Sequence, residues 1–192
     1  MVASAEAATP PGFQTVTVAN VGFSIEVPSS WHVTKGGPNL SKTEAKELER
    51  ENPAAADAIA AANAPNSHIR FAAFDPVAVD GGVPDVNLVV EPLPSGYAWT
   101  QYKTELAGEI KPIASGRVRE TDISTATQHA VRLDFPLVLT VKGKHHPLVF
   151  RQIGFERQGR SYVVTYSAPA AVAGSSRHVF DTSQASIIFS RG

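Results

Sequence analysis

Cysteine is absent from this 192-residue chain. Its absence excludes disulfides, thiolate metal sites and cysteine nucleophiles. No apolar run approaches the ~18 residues of a membrane span, so no transmembrane segment is predicted. No cluster of Lys or Arg occurs, and the formal net charge is −1. We therefore expect no nucleic-acid partner, because bulk positive charge is what such binding needs.

The composition does predict a folded chain. Hydrophobic residues make up 43% of it and charged residues 18%, which is enough apolar material for a core. Residues 1–12 are small and polar and lack the apolar stretch of a signal peptide, so we predict a flexible N-terminal segment. Residues 13–192 are predicted to form one domain. If a signal peptide was trimmed, we expect the chain outside the cytoplasm, either in the cell envelope or secreted. Otherwise we expect it in the cytoplasm. A peripheral tether to the membrane is an open alternative.

The stretch GFSIEVPSSWHV, residues 22–33, shows how the sheet begins. Phe23, Ile25 and Val27 alternate with polar residues, which is the period of a half-buried antiparallel strand. Pro28 should end that strand because it has no N–H to donate. Trp31 is then predicted to fold back over apolar surface that the strand end leaves open.

Residues 41–64 predict a helical insertion. Ser41 to Glu44 forms a capping box, and Asn52-Pro53 starts a second, alanine-rich piece. That piece buries little surface of its own. Its small-residue stripe would let a partner helix approach closely. The predicted contact residues there are Ala55, Ala58, Ile59 and Ala62.

The remaining pattern predicts strands, one amphipathic helix through Trp99 and Ile110, a long β-meander and a last helix opened by Pro169. Leu148 and Phe150 fall on one strand face and Ile153 and Phe155 on the other, so the sheet needs cover on both sides. The predicted class is α+β, with an antiparallel sheet sandwiched between helices.

These elements resemble the Mog1/PsbP-like superfamily. Its opening G-F-x-I-x-V-P-x-x-W is met from Gly22 to Trp31, and its closing F…S-F-x-F is met loosely by Phe180, Ser186, Ile188 and Phe189. Within it the chain is most similar to the actinobacterial LpqN-type lipoproteins, although no lipidation cysteine is present and the 41–64 insertion is long. The resemblance implies an α/β/α sandwich and mostly non-enzymatic adaptor, assembly or binding roles. It brings no catalytic set.

No motif for chemistry stands out. The chain has no G-x-S-x-G nucleophile elbow and no phosphate-binding glycine loop. His145 and His146 are adjacent in a predicted strand, so they should point to opposite faces and not share a metal ion. We predict no catalytic, cofactor-binding or metal-binding residues, and no enzyme activity.

The sequence therefore favours a binding or scaffold domain that engages a protein partner, at the bacterial cell envelope. Loops at 75–85 and 92–97, together with Trp31, Trp99 and the insertion residues, are the predicted contact regions. One alternative is a carrier of a lipid or small apolar ligand, with its pocket between the sheet and the 97–110 helix. Another is a cryptic hydrolase.

Overall fold

The chain folds into two antiparallel sheets and two helices over the described residues. The computed structural model describes residues 9–35, 68–77, 79–80, 82–124, 128–141 and 143–190. The predicted insertion 41–64 and most of the predicted flexible segment 1–12 lie outside this part of the chain.

The smaller sheet has three strands in the order β1-β2-β10. The first two, β1 (Phe13–Val18) and β2 (Phe23–Pro28), form a hairpin. The last, β10 (Ile188–Phe189), pairs with β2 from the far end of the chain. Gly22 closes the hairpin with a left-handed φ of 62°, and a Cβ there would lie 2.6 Å from the Ser190 Oγ atom. The position therefore requires glycine for both conformation and space.

The larger sheet has seven strands in the order β3-β4-β5-β9-β8-β7-β6. Their bounds are β3 (His32–Lys35), β4 (Ile69–Phe74), β5 (Asp85–Pro92), β6 (Arg119–Asp122), β7 (Ala130–Val141), β8 (Lys144–Arg157) and β9 (Arg160–Pro169). The helices are α1 (Trp99–Ile110) and α2 (Ala173–Ala185); a 3₁₀ turn, Ala170–Val172, precedes α2.

The predicted α+β class, an antiparallel sheet between helices, is confirmed, and the structure adds a separate three-stranded sheet. Pro28 ends β2 as expected, and the chain then crosses at Trp31 into the larger sheet through β3. The meander is also more continuous than predicted, since β7 runs through Pro136 without a break. β6 pairs only with residues 131–134, so Pro136 lies where β7 has an open edge and the missing N–H is tolerated.

Both faces of the larger sheet are covered, as its apolar pattern predicted. On one face, the α2 face, Phe71, Leu88, Ile153 and Tyr166 pack against α2 and the smaller sheet. On the other, the α1 face, α1 packs on Val131, Leu133 and Phe135. The sandwich therefore has a helix on each side, and the three-stranded sheet shares the α2 side.

An ion-pair network fastens α2 to the sheet. The buried Arg151 on β8 donates from its Nε atom to Asp134, 2.8 Å away, and from Nη1 to Asp181 of α2, 2.5 Å away. The same Nη1 atom lies 3.3 Å from Gln184 Oε1. A buried guanidinium needs such partners because an unpaired buried charge is costly.

Candidate binding groove

An apolar groove of about 210 Å³ lies between the β4–β5 loop and α2. Its base and walls come from the sheet junction, the loop and the first two turns of the helix. The lining residues are Trp31, Asp75, Val77, Val79, Pro84, Val172, Ser175, Ser176 and Val179. The predicted contact loop at 75–85 therefore forms one wall.

Hydrogen bonds hold the groove's loop wall in shape. The backbone N–H of Asp75 donates to Pro84 O at 2.9 Å, and the Asp75 carboxylate accepts from the Val77 N–H at 2.9 Å. Val79 and Gly82 exchange two backbone bonds, of 2.7 and 3.0 Å. These bonds leave the Val77 side chain 64% exposed. An apolar side chain is thus presented to solvent beside hydrogen-bonded residues of the loop.

Trp31 lies at the base of the groove and is also part of the core. It is only 7% exposed and packs within the hydrophobic cluster of the α2 face. Its backbone N–H donates to Pro28 O at 3.0 Å, which fixes the turn after β2. The prediction that Trp31 covers apolar surface at the strand end is confirmed, and one edge of the residue reaches the groove.

Trp99 lies on the other side of the sheet. It begins α1, stacks on His129 with ring centroids 5.4 Å apart, and packs against the cluster of the α1 face. The structure therefore does not bring Trp31 and Trp99 together. The other predicted contact residues, Ala55, Ala58, Ile59 and Ala62, lie outside the described residues, so their role stays a prediction.

Ser167 and Asp85 bring a serine hydroxyl and a carboxylate together on adjacent strands. Ser167 Oγ donates to the Asp85 carboxylate, and burial raises the pKa of Asp85 to about 6. Phe74 lies between Asp85 and His32 in the strand pairing, and the His32 ring packs on the Phe74 ring with centroids 5.6 Å apart. In the described part of the chain, no histidine is bonded to both a serine hydroxyl and a carboxylate. The Ser167–Asp85 pair thus lacks the base that a serine nucleophile needs.

The other two histidines of interest serve local structure. His145 Nδ1 lies 3.0 Å from Thr140 Oγ1, and His146 Nδ1 lies 2.8 Å from Asp80 O, which ties β8 to the β4–β5 loop. Across the residues with described positions, no three His, Asp or Glu side chains gather as metal ligands. Within the same residues no helix is long and apolar enough to cross a membrane.

The space between α1 and the sheet is tightly filled. A Cβ on Gly154 of β8 would lie 2.5 Å from Leu106 and 2.8 Å from the Tyr102 hydroxyl. That hydroxyl is 2.9 Å from Ser161 Oγ, and burial raises the pKa of Tyr102 to about 12. The ligand pocket predicted here is therefore occupied by the protein's own side chains at this point.

No family model matches this chain, and no curated protein sequence matches it. Solved structures do share its arrangement over nearly all of its length. Cyanobacterial PsbP (CyanoP) from Synechocystis sp. PCC 6803 matches with a TM-score of 0.56 and 10% identity, over 98% of this chain and 99% of that one. LpqN of Mycobacterium tuberculosis, involved in cell envelope biogenesis, matches with a TM-score of 0.57 and 12% identity, over 95% of this chain and 87% of that one.

This chain has the Mog1/PsbP-like fold. The fold predicted from the opening and closing motifs is thereby confirmed. At such low identity the likeness concerns the Mog1/PsbP-like fold alone, and it transfers no function.

Sequence reasoning missed the residues that shape the groove. Val77 and Val79 gave no signal, because an isolated valine in a loop has no periodicity to interpret. Val172 and Val179 were assigned to the last helix, but their proximity to the β4–β5 loop depends on long-range packing. The loop itself was predicted from Asp75-Pro76 and Asp80-Gly81.

Proposed function

We propose that this chain is a non-enzymatic binding domain that engages a protein partner at the bacterial cell envelope, and that the groove beside Val77 is where the partner docks. The observation that supports the proposal is the apolar residue Val77, which is 64% exposed, is hydrogen-bonded to Asp75 and lies at the rim of an apolar groove. Val77 lies with the apolar residues Val79, Val172 and Val179 in the lining of this groove, and a contiguous exposed apolar surface is typical of interaction sites.

The size of the groove supports a protein partner over a carried ligand. Its volume of about 210 Å³ is below the roughly 300 Å³ at which drug-sized ligand pockets begin. It would accept one or two side chains of a partner and leave the rest of that partner on the surface. The envelope setting is supported by the fold shared with LpqN, which is involved in cell envelope biogenesis.

The test uses a photo-crosslinking amino acid at position 77, introduced into the full chain and expressed in bacterial cells of its native host. A matched chain carries it at Ile113, which is 56% exposed but lies after α1, away from the groove. We expect a discrete crosslinked protein from position 77 that is absent from position 113. Equal products from both positions, or none from either, would contradict the proposal.

A substitution gives the second half of the test. Val77→Asp places a charge at the rim without touching the core, so the fold should persist, and partner recovery should fall about tenfold or more because a desolvated charge opposes docking. Ile113→Asp should leave recovery unchanged. The enzyme alternative has its own readout: turnover of ester, peptide or glycoside substrates above buffer would contradict a non-enzymatic role.

A further inference from the structure

A second depression, of about 310 Å³, lies at the other end of the smaller sheet. One wall is the β1–β2 turn, with Asn20 and Gly22. The opposite wall is the β8–β9 hairpin, with Arg157 and Arg160. Its chemistry differs from that of the groove, because its lining is mostly polar and includes no acidic side chain among the described residues.

The two arginines face each other across the hairpin. Arg157 and Arg160 are direct cross-strand partners, separated by Gln158 and Gly159, whose φ angles are 52° and 69°. Two consecutive positive φ angles are the signature of a type I′ turn, which places the flanking side chains on one face. Opposed side chains in such a pair have Cβ atoms roughly 5 Å apart, and like charges there repel each other.

The position of Arg157 is fixed by neutral groups. Its Nη2 atom donates to Ser190 O at 2.8 Å, and its guanidinium lies 5.5 Å from the centre of the Phe189 ring. Across the described residues, neither Arg157 nor Arg160 forms an ion pair, whereas Arg132 and Arg151 both pair with Asp134. The hairpin thus holds two positive charges together, and neither is ion-paired with a carboxylate of the described residues.

The depression offers several hydrogen-bond donors in addition to charge. Each guanidinium carries five N–H donors in a planar fork that fits phosphate oxygens, and the side-chain amides of Asn20 and Gln158 line the same space. Its volume is at the lower end of the range for small-ligand sites. A phosphate carried on a small organic group would fill it and neutralise both charges.

The geometry points to a phosphate-binding site formed by Arg157 and Arg160, whose ligand is a phosphorylated small molecule or a phospholipid headgroup. This site is independent of the groove proposed for a protein partner. A bound phosphate would reduce the electrostatic repulsion between the two guanidinium groups. This reduction would add to the binding free energy that its hydrogen bonds to the arginines supply.

The first experiment titrates the ¹⁵N-labelled full chain with inorganic phosphate, against sodium chloride at equal ionic strength. We expect saturable amide shifts at residues 20–22 and 157–160. Arg160→Gln should weaken binding about tenfold or more, because one charge-assisted contact is lost. Arg117→Gln, an equal charge change at an exposed arginine outside the depression, should leave it unchanged.

The second experiment identifies the source of the phosphate. The chain is floated with phosphatidylcholine vesicles that do or do not contain phosphatidylglycerol. Flotation that depends on phosphatidylglycerol and on Arg160 assigns the site to a headgroup, while phosphate binding without flotation assigns it to a soluble ligand. The proposal is overturned if neither probe binds in an Arg160-dependent way, including the case in which Arg160→Gln and Arg117→Gln weaken binding equally.

Discussion

On the α2 face of the larger sheet, the helix packs on large side chains of the strands. On the α1 face, the helix packs on a glycine of the strands, which has no side chain. Phe180 of α2 packs on Tyr166 with ring centroids 5.0 Å apart. On α1, Leu106 and Tyr102 instead approach the bare backbone of Gly154. The two helices therefore cover the sheet in different ways. We expect the α2 face to be destabilised by a smaller side chain and the α1 face by a larger one.

The largest effect is expected on the α2 face. Phe180→Ala removes an aromatic ring that is only 4% exposed, and the helix cannot collapse fully into the space because Arg151 holds it in place. We expect a loss of about 3–5 kcal/mol in the free energy of unfolding. Urea denaturation measures it. The control His178→Ala, exposed on the same helix, should change stability by less than about 0.5 kcal/mol.

On the α1 face we expect a smaller loss of stability, which comes from overpacking and not from a cavity. Gly154→Ala adds one methyl group that would lie 2.5 Å from Leu106, so the helix must move outward, at a cost of about 1–3 kcal/mol. Combining it with Leu106→Ala should recover part of that overpacking cost in a double-mutant cycle. Gly108→Ala is the matched control: it lies in α1 with open space around it and should stabilise by about 0.5–1 kcal/mol. Equal losses of stability for Gly154→Ala and Gly108→Ala would contradict the prediction that close packing makes Gly154 the more sensitive position.

The stability of the chain should depend on pH through Asp85, which lies on the α1 side of β5. Since burial raises the pKa of Asp85 to about 6, the folded chain keeps a proton that the unfolded chain releases near 3.8. Stability should therefore fall as the pH rises from about 4 to about 6. Asp85→Asn should remove that fall, whose size we expect to be about 1–2 kcal/mol because the side chain is part-exposed.

Asp122 provides the control of opposite sign. Hydrogen bonds from Ser124 lower the pKa of Asp122 to about 2, so its contribution is present above pH 4 and lost as the pH falls. Asp122→Asn should therefore flatten the acid side of the stability curve and leave the pH 4–6 region unchanged. Thermal unfolding measured from about pH 2 to about pH 6 tests both variants, and an unchanged curve for Asp85→Asn would contradict the role given to Asp85.

Local patterns carried most of the fold prediction. The alternation of Phe23, Ile25 and Val27 and the helical spacing from Trp99 to Ile110 are both written within short stretches, and both elements formed where predicted. The division into two sheets is not local. It depends on β10 reaching β2 across some 160 residues of chain, a contact that no periodicity in either segment encodes.

The candidate sites were less predictable for a related reason. The meander was predicted, but the pair of charges in its last hairpin forms only because the register places Arg157 opposite Arg160. The groove likewise combines Trp31, Val77 and Val179, which are far apart in sequence. Sequence patterns identify which face of an element is buried, and they do not show which exposed residues meet.

The direct test of docking beside Val77 is to map the bound partner on the ¹⁵N-labelled chain by NMR. With the partner that is captured through position 77, we expect amide shifts confined to residues 75–84 and 172–179, with α1 unchanged. Shifts centred on Trp99 and α1, with the β4–β5 loop unaffected, would contradict it.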